Sequence, residues 1–140
     1  MYETLFQAAN LTVLPAWSLL LFAPRWRWTQ RIAVGVTVTL VAALYVALIS
    51  YALISGAGAQ DVDFTTMEGV AAIFSHPLGI VAGWSHYLAF DLFVGAWIVR
   101  DARMRGVPRL LTVPAILLCF VAGPAGFLLY RLVRTGSRTA

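Results

Sequence analysis

Residues 78–99 read LGIVAGWSHYLAFDLFVGAWIV, an apolar stretch that contains one histidine, His86, and one carboxylate, Asp91. A helix rises about 1.5 Å per residue and needs about 20 apolar residues to cross the hydrocarbon core of a membrane. The stretch is long enough, so it predicts a membrane span. An ionisable side chain near the middle of a span costs on the order of 3 kcal/mol and marks a candidate functional site.

The composition of the whole chain indicates the same class of protein. Of its 140 residues, 61% are hydrophobic and 11% are charged, whereas about 25% of the residues in a soluble domain are charged. We interpret the chain as a single all-α membrane domain over residues 1–140, too short for an added soluble catalytic module. Abundant alanine and arginine without lysine are typical of a high-GC bacterium, so we expect a bacterial plasma membrane.

Three more apolar windows complete a predicted bundle of four transmembrane helices. They are bounded by charges or turn formers, and they cover residues 5–22, 32–54 and 110–130. Pro114 and the GPAG motif at 123–126 interrupt the last window, so we expect its helix to be kinked. The predicted spans are therefore about 5–22, 32–54, 78–99 and 110–130.

The segment between the second and third spans is too short and too mixed to cross. Its apolar residues recur every three to four positions over about 65–75, which predicts a short interfacial helix. Thr65 or Thr66 is the expected cap of this helix. Glu68 then projects from its first turns, either into water or into the mouth of the bundle.

The basic residues, all ten of them arginine, predict the orientation of the bundle. Seven of them lie in the first and third loops, whereas the second loop is acidic, so the first and third loops should face the cytoplasm. Four spans then place both termini outside. This conflicts with the same rule for the arginines that follow the last window, Arg131, Arg134 and Arg138.

Several other classes of site and partner do not fit the sequence. His76 and His86, with scattered carboxylates, match no compact ligand spacing, so we expect no metal and no other cofactor. The single Cys119 is expected to pack as a small hydrophobic residue. The net charge of +4 fits topology and contact with anionic membrane lipid, and we expect no nucleic-acid partner.

Helix geometry separates His86 from Asp91. Five residues correspond to about 500° of rotation, which leaves the side chains about 140° apart, so the two groups cannot pair directly. Each needs a partner from another segment. The His86 side begins with Gly79-x-x-x-Gly83, a spacing that favours close helix approach and gives a candidate homo-oligomer contact.

The polar residues leave structural alternatives open. His86 is either a hydrogen-bonding residue between helices or a functional group. Asp91 is either neutral and ready for proton transfer or paired with a cation from another segment. Trp84, Tyr87 and Phe90 are expected to line a flat, elongated pocket, with Phe93 and Asn10 as further candidate binding residues, although membrane asparagines more often hold helices together.

Several short motifs together resemble a known family. They are LPAW at 14–17, APRW at 23–26, EGVAAIF at 68–74, WSHYLAFDLF at 84–93, RD at 100–101 and GPAG at 123–126. This set resembles the neoxanthin-synthase-like, or abscisic-acid-deficient-four-like, family of small four-helix membrane proteins over most of the chain. The sharpest element is W-x-H-x-L-A-x-D-L-F. The chain departs from the pattern at Ala96, where such proteins often carry arginine.

The resemblance implies a chemistry as well as a fold. Plant members are linked to the conversion of the epoxide violaxanthin to the allenic neoxanthin, an isomerisation that needs no redox cofactor. In such a reaction a base removes a vinylic proton and an acid protonates the epoxide oxygen. The implied roles here are acid and base, in either order, for Asp91 and His86, and a place at the mouth for Glu68. The aromatic pocket would hold an apolar polyene.

Two other classes of function stay open. A non-catalytic carotenoid- or lipid-binding protein, or an accessory subunit of a partner enzyme, would use the same aromatic pocket and polar residues to hold a ligand. A small transporter or proton relay would also explain an intramembrane histidine and aspartate. Four short helices enclose little volume, so this last function would require an oligomer.

Overall fold

A computed structural model describes residues 1–136, and this part of the chain contains six helices and no strands. The predicted all-α class is confirmed. Arg138, which belongs to the arginine-rich tail considered above, lies outside the described residues. The helices are α1 (Tyr2–Phe22), α2 (Arg31–Ser55), α3 (Met67–Phe74), α4 (Pro77–Arg105), α5 (Arg109–Val121) and α6 (Gly123–Gly136).

Helix α4 is the centre of the bundle. It contacts every other helix, and a larger share of it is buried than of α1 or α2. The core between the helices is built from large buried side chains such as Trp17, Leu20, Leu92 and Ile98. Helices α1, α2 and α4 are each long and apolar enough to cross a membrane. The first turns of α2, Arg31–Val38, are π-helical.

Local capping explains where α3 and α4 begin. The Thr66 hydroxyl accepts a hydrogen bond from the Gly69 backbone nitrogen at 3.1 Å, which is an N-cap within the segment predicted to be a short helix. His76 Nδ1 accepts from the Leu78 nitrogen at 3.1 Å, so this histidine caps α4. Helix α4 ends at Arg105, and the next residue, Gly106, has a φ of 68°, which is typical of a glycine that caps a helix end.

The fourth apolar window differs most from its prediction as one kinked span. The chain leaves the helical conformation at Ala122, where φ is −154° and ψ is 88°, and α6 then packs back against α5. Gly126 permits this close contact, since a Cβ there would lie 2.3 Å from the Cys119 nitrogen. Pro114, in contrast, lies inside α5 without ending it. Three described helices are long enough to cross a membrane, so the four-span count is not confirmed.

Contacts with α1 and α4 show the directions of α5 and α6. Arg109, at the start of α5, donates to the Leu21 carbonyl near the end of α1. The end of α5 lies near the middle of α4, where the Tyr87 hydroxyl donates to the Val121 carbonyl at 2.5 Å. The Tyr130 hydroxyl of α6 then donates to Asp101 near the end of α4 at 2.7 Å. Helices α5 and α6 therefore form a hairpin that starts and finishes at one end of the bundle.

This hairpin determines the position of the arginine-rich tail. Arg134 binds Asp101 at 3.1 Å, so the end of α6 lies beside the end of α4 and the loops that carry the other arginines. We call this region the arginine end; its described arginines are Arg25, Arg27, Arg31, Arg100, Arg103, Arg105, Arg109, Arg131 and Arg134. The sequence left the side of this tail open, because four crossings place it opposite the first and third loops whereas its arginines favour the same side. The contact between α6 and α4 places the described part of the tail beside those loops.

Candidate functional site

Asp91 lies halfway along α4, and only 7% of its surface is exposed. Its Oδ2 accepts a hydrogen bond from the backbone nitrogen of Gly123 at 3.2 Å, just after the break between α5 and α6. Across residues 1–136 the ion pairs involve Asp101 and none involves Asp91. Pairing with a cation was one of the two alternatives for Asp91, and the described part of the chain contains no such ion pair.

The position of Gly123 is set by the Asp91 carboxyl group. A Cβ on Gly123 would lie 1.9 Å from Asp91 Oδ1, so any side chain there would displace the Asp91 carboxyl group. The Cys119 thiol also donates to the Asp91 backbone carbonyl at 3.4 Å, which ties α5 to the same turn of α4. The sequence reasoning missed Gly123 as a site residue. The available signal was a glycine beside a predicted helix break, which often marks a close approach of backbone.

Four of the predicted residues form one continuous row that runs from α1 to the α5–α6 turn. Tyr87 lies one helical turn before Asp91, next to the carboxyl group, and its ring stacks on Trp84 with centroids 5.1 Å apart. Trp84 Nε1 donates to Asn10 Oδ1 at 3.0 Å, and Asn10 in turn donates to the Phe6 carbonyl at 2.9 Å. We call Asn10, Trp84, Tyr87 and Asp91 the polar row.

His86 lies on the other side of α4, as the spacing predicts. It is exposed, and its ring contacts Phe90 at 4.6 Å and Tyr45 of α2 at 5.3 Å between centroids. Phe90 and Phe93 are 58% and 47% exposed. We call Tyr45, His86, Phe90 and Phe93 the outer aromatic face. The structure thus separates His86, Phe90 and Phe93 from the polar row.

Glu68 does not approach Asp91 either. It is exposed on α3, which packs on the first turns of α4. A Cβ on Gly79 would meet the Ile73 carbonyl at 1.8 Å, and one on Gly83 would meet the Phe74 ring at 2.7 Å. Helix α3 of the same chain therefore covers both glycines. The homo-oligomer contact through them stays a prediction, and it would require α3 to move. Gly83 lies about 12 Å from Asp91 along the helix axis.

Ala96 is closely packed against the residues at the start of α2. It is fully buried, and its carbonyl accepts a hydrogen bond from Gln30 Nε2 at 3.0 Å. Because Ala96 follows Asp91 by five residues, the two side chains point about 140° apart. An arginine at this position would therefore not lie beside Asp91. Within residues 1–136 no group of three histidine, cysteine or acidic side chains is arranged to hold a metal ion.

The Asp91 carboxyl group of the polar row can exchange a proton with a ligand in apolar surroundings. The Asp91 carboxyl group touches a backbone N–H and lies beside a tyrosine hydroxyl, both of them neutral hydrogen-bonding groups. Such a carboxyl group can give or take a proton, as general acid–base catalysis requires. Trp84 and Tyr87 are half-buried, so their stacked rings extend from Asp91 towards the surface of the bundle.

The model of the family described as ABA DEFICIENT 4-like matches residues 4–130, which is nearly the whole chain. No curated protein and no solved structure matches the chain.

Proposed function

Because the chain belongs to the ABA DEFICIENT 4-like family, we propose that it acts on an oxygenated polyene of the carotenoid class within a bacterial plasma membrane. The observation that carries this proposal is the buried Asp91 carboxyl group at the end of the polar row, which has no cationic partner in the described residues. Ionisable groups at such depth are costly and are associated with function.

The proposed reaction is the isomerisation of an epoxide to an allenic alcohol. A base removes a vinylic proton, and the electron pair of that C–H bond forms the second double bond of the allene. The epoxide C–O bond breaks, and its oxygen takes a proton from an acid, so nothing is oxidised or reduced overall. We assign these transfers to Asp91 and the neighbouring Tyr87 hydroxyl, since His86 lies across the helix from Asp91.

Access to Asp91 requires movement of the α5–α6 turn. Gly123 lies directly against the carboxyl group, and the Tyr87 hydroxyl is held by the Val121 carbonyl on the other side of the break. Opening at Ala122 would release both contacts together. The outer aromatic face lies across α4 from Asp91, so His86, Phe90 and Phe93 have no part in this reaction.

A second candidate is binding without turnover, either as a carrier or as an accessory subunit. It is favoured by one observation: the exposed outer aromatic face is open to a ligand, whereas Asp91 is closed off by Gly123. In this case the polyene would lie against Tyr45, His86 and Phe90. The buried carboxyl group would then serve only to fasten the α5–α6 turn.

The two candidates are distinguished by an assay with violaxanthin in lipid nanodiscs. Asp91→Asn retains an oxygen that can accept from Gly123 but removes the acid, so we expect turnover to fall by about 100-fold or more. Glu3→Gln is the matched control, because it makes the same change in an exposed carboxylate at the start of α1, and it should retain full activity. Full turnover by Asp91→Asn would exclude the catalytic assignment. A bound polyene that wild type leaves unchanged supports the second candidate.

We also propose a topology of three crossings followed by a re-entrant hairpin, with the arginine end in the cytoplasm. Three single cysteines, Thr135→Cys, Met104→Cys and Gln60→Cys, test it in a background where Cys119 is replaced by alanine. In sealed vesicles an impermeant maleimide should reach Thr135→Cys and Met104→Cys from one side and Gln60→Cys from the other. A straight fourth crossing would instead place Thr135→Cys with Gln60→Cys.

A further inference from the structure

A cavity of about 550 Å³ opens at the arginine end, away from the polar row. It lies between the end of α1, the loop that follows it, the end of α4 and the start of α5. Val99, on its wall, is eight residues beyond Asp91, which corresponds to about 12 Å along α4. The volume is within the range of about 300–1,000 Å³ that is usual for ligand sites.

Arginine side chains form the rim of this cavity, and hydrogen bonds hold two of them in place. Arg25, Arg103 and Arg109 line it. Arg103 Nη1 donates to the Pro24 carbonyl at 2.9 Å, and Arg109 donates to the Leu21 carbonyl. Each guanidinium group has five N–H donors, so these contacts orient the two side chains and leave further donors for a ligand. Arg25 forms no hydrogen bond or ion pair within the described part of the chain.

No carboxylate balances this charge inside the cavity. None of the residues that line it is acidic. Asp101 of α4 is the carboxylate at this end of the bundle. It accepts hydrogen bonds from Tyr130, Arg105 and Arg134. The three rim arginines therefore present positive charge to whatever enters, and arginine is well suited to bind phosphate oxygens.

The floor of the cavity is apolar. Leu20, Val99 and Ile116 close it from the bundle side and are almost fully packed. Leu21 and Val113 are half-buried and Phe22 is exposed, so these three side chains offer apolar surface to a ligand. A small hydrated anion would gain nothing from these side chains. A molecule with both an anionic head and a hydrocarbon chain would contact the rim and the floor together.

We propose that this cavity binds an anionic phospholipid, with its phosphate between Arg25, Arg103 and Arg109 and one hydrocarbon chain on Leu21, Phe22 and Val113. The cytoplasmic leaflet, where the arginine end is proposed to lie, is the side on which anionic lipids attract basic residues. The site does not use Asp91 or the outer aromatic face. Its occupancy is therefore independent of whether the protein acts on a polyene.

Lipid binding to the purified protein tests the proposal by native mass spectrometry and by the Tm in detergent. The probes are phosphatidylglycerol, phosphatidylcholine and glycerol phosphate, which separate the anionic lipid from a neutral lipid and from the head alone. Arg103→Gln with Arg109→Gln removes two rim charges. The matched control is Arg27→Gln with Arg31→Gln, which removes two charges at the same end that stack on Trp28 outside the cavity.

Phosphatidylglycerol should bind wild type and raise its Tm, and the rim double variant should weaken this binding by about tenfold or more, equivalent to roughly 1.4 kcal/mol. The control double variant should stay within about twofold of wild type. If the rim variant does not fold, Arg25→Gln replaces it, and Val113→Trp tests the apolar floor with all arginines kept. Equal losses in both double variants would overturn the proposal, as would equal binding of phosphatidylcholine or glycerol phosphate.

Discussion

The inner and outer sides of α4 each carry one titratable residue near the middle of the helix, and their surroundings differ. Asp91 is buried against Gly123 and lies in a row of hydrogen-bonded and stacked side chains. His86 is exposed between the rings of Tyr45 and Phe90. The two residues are about 7.5 Å apart along the helix and both lie near its middle, so the direction of each side chain accounts for its environment. The inner side should be sensitive to small changes, and the outer side tolerant of them.

The largest effect is expected where the inner side is closed. Gly123→Val places a side chain into the space of the Asp91 carboxyl group, so we expect a loss of about 3 kcal/mol in the free energy of unfolding. Gly35→Ala is the matched control, since no atom lies within 4 Å of a Cβ there. Thermal or denaturant unfolding in detergent measures both. Equal stability of the two variants would show that Gly123 does not close over Asp91.

The next effect compares the two titratable residues directly. Asp91→Leu leaves the Gly123 N–H without its acceptor, so we expect a loss of about 2 kcal/mol. His86→Leu removes no side-chain hydrogen bond found in the described residues, and its effect should stay within about 0.5 kcal/mol. The same unfolding measurement applies. A larger loss for His86→Leu than for Asp91→Leu would reverse the comparison.

A smaller effect should connect the polar row to α1. Trp84→Phe and Asn10→Ala each remove the hydrogen bond between Trp84 Nε1 and Asn10 Oδ1, and each should cost about 1 kcal/mol. The double variant should lose less than the sum of the single variants, because both remove the same bond. Strict additivity would mean that this contact contributes nothing to stability.

The smallest effect is expected on the outer aromatic face. Phe90→Leu should change the free energy of unfolding by less than about 0.5 kcal/mol, because most of the ring contacts no other part of the described chain. If the protein binds a polyene on this face, as in the second candidate function, the same variant should weaken its retention, which absorbance of the purified protein measures. A stability loss above about 1 kcal/mol in unliganded protein would instead indicate that this face is packed against another copy.

The helix period explains which parts of this arrangement could be predicted. It separates His86 from Asp91 and places Tyr87 one turn before Asp91, because both relations depend on a single helix. The short helix α3 and its Thr66 cap also follow from local sequence, since the cap bonds within its own first turn. The location of α3 at a membrane interface stays a prediction.

The contacts that could not be predicted from the sequence are those between two separate segments of the chain. Nothing in the local sequence indicates that Gly123 contacts Asp91, because the two residues belong to helices far apart in the chain. Gly126 contacts Cys119 only because α6 folds back sharply on α5. The apolar window at 110–130 has the composition of a crossing whether it continues or reverses at Ala122. His86 and Asp91 were therefore assigned to one reaction, although the structure gives Asp91 a nearer neighbour in Tyr87.

The reversal at Ala122 also has a consequence for how the chain is made. In the proposed topology the hairpin enters and leaves at one end and carries only the apolar residues of α5 and early α6 into the bilayer, so Arg131 and Arg134 need not be translocated. An arginine at the centre of an inserting helix costs roughly 2.5–3.5 kcal/mol. The insertion machinery would thus retain the C-terminal arginines on the side where synthesis occurs, and they would strengthen the orientation set by the earlier loops.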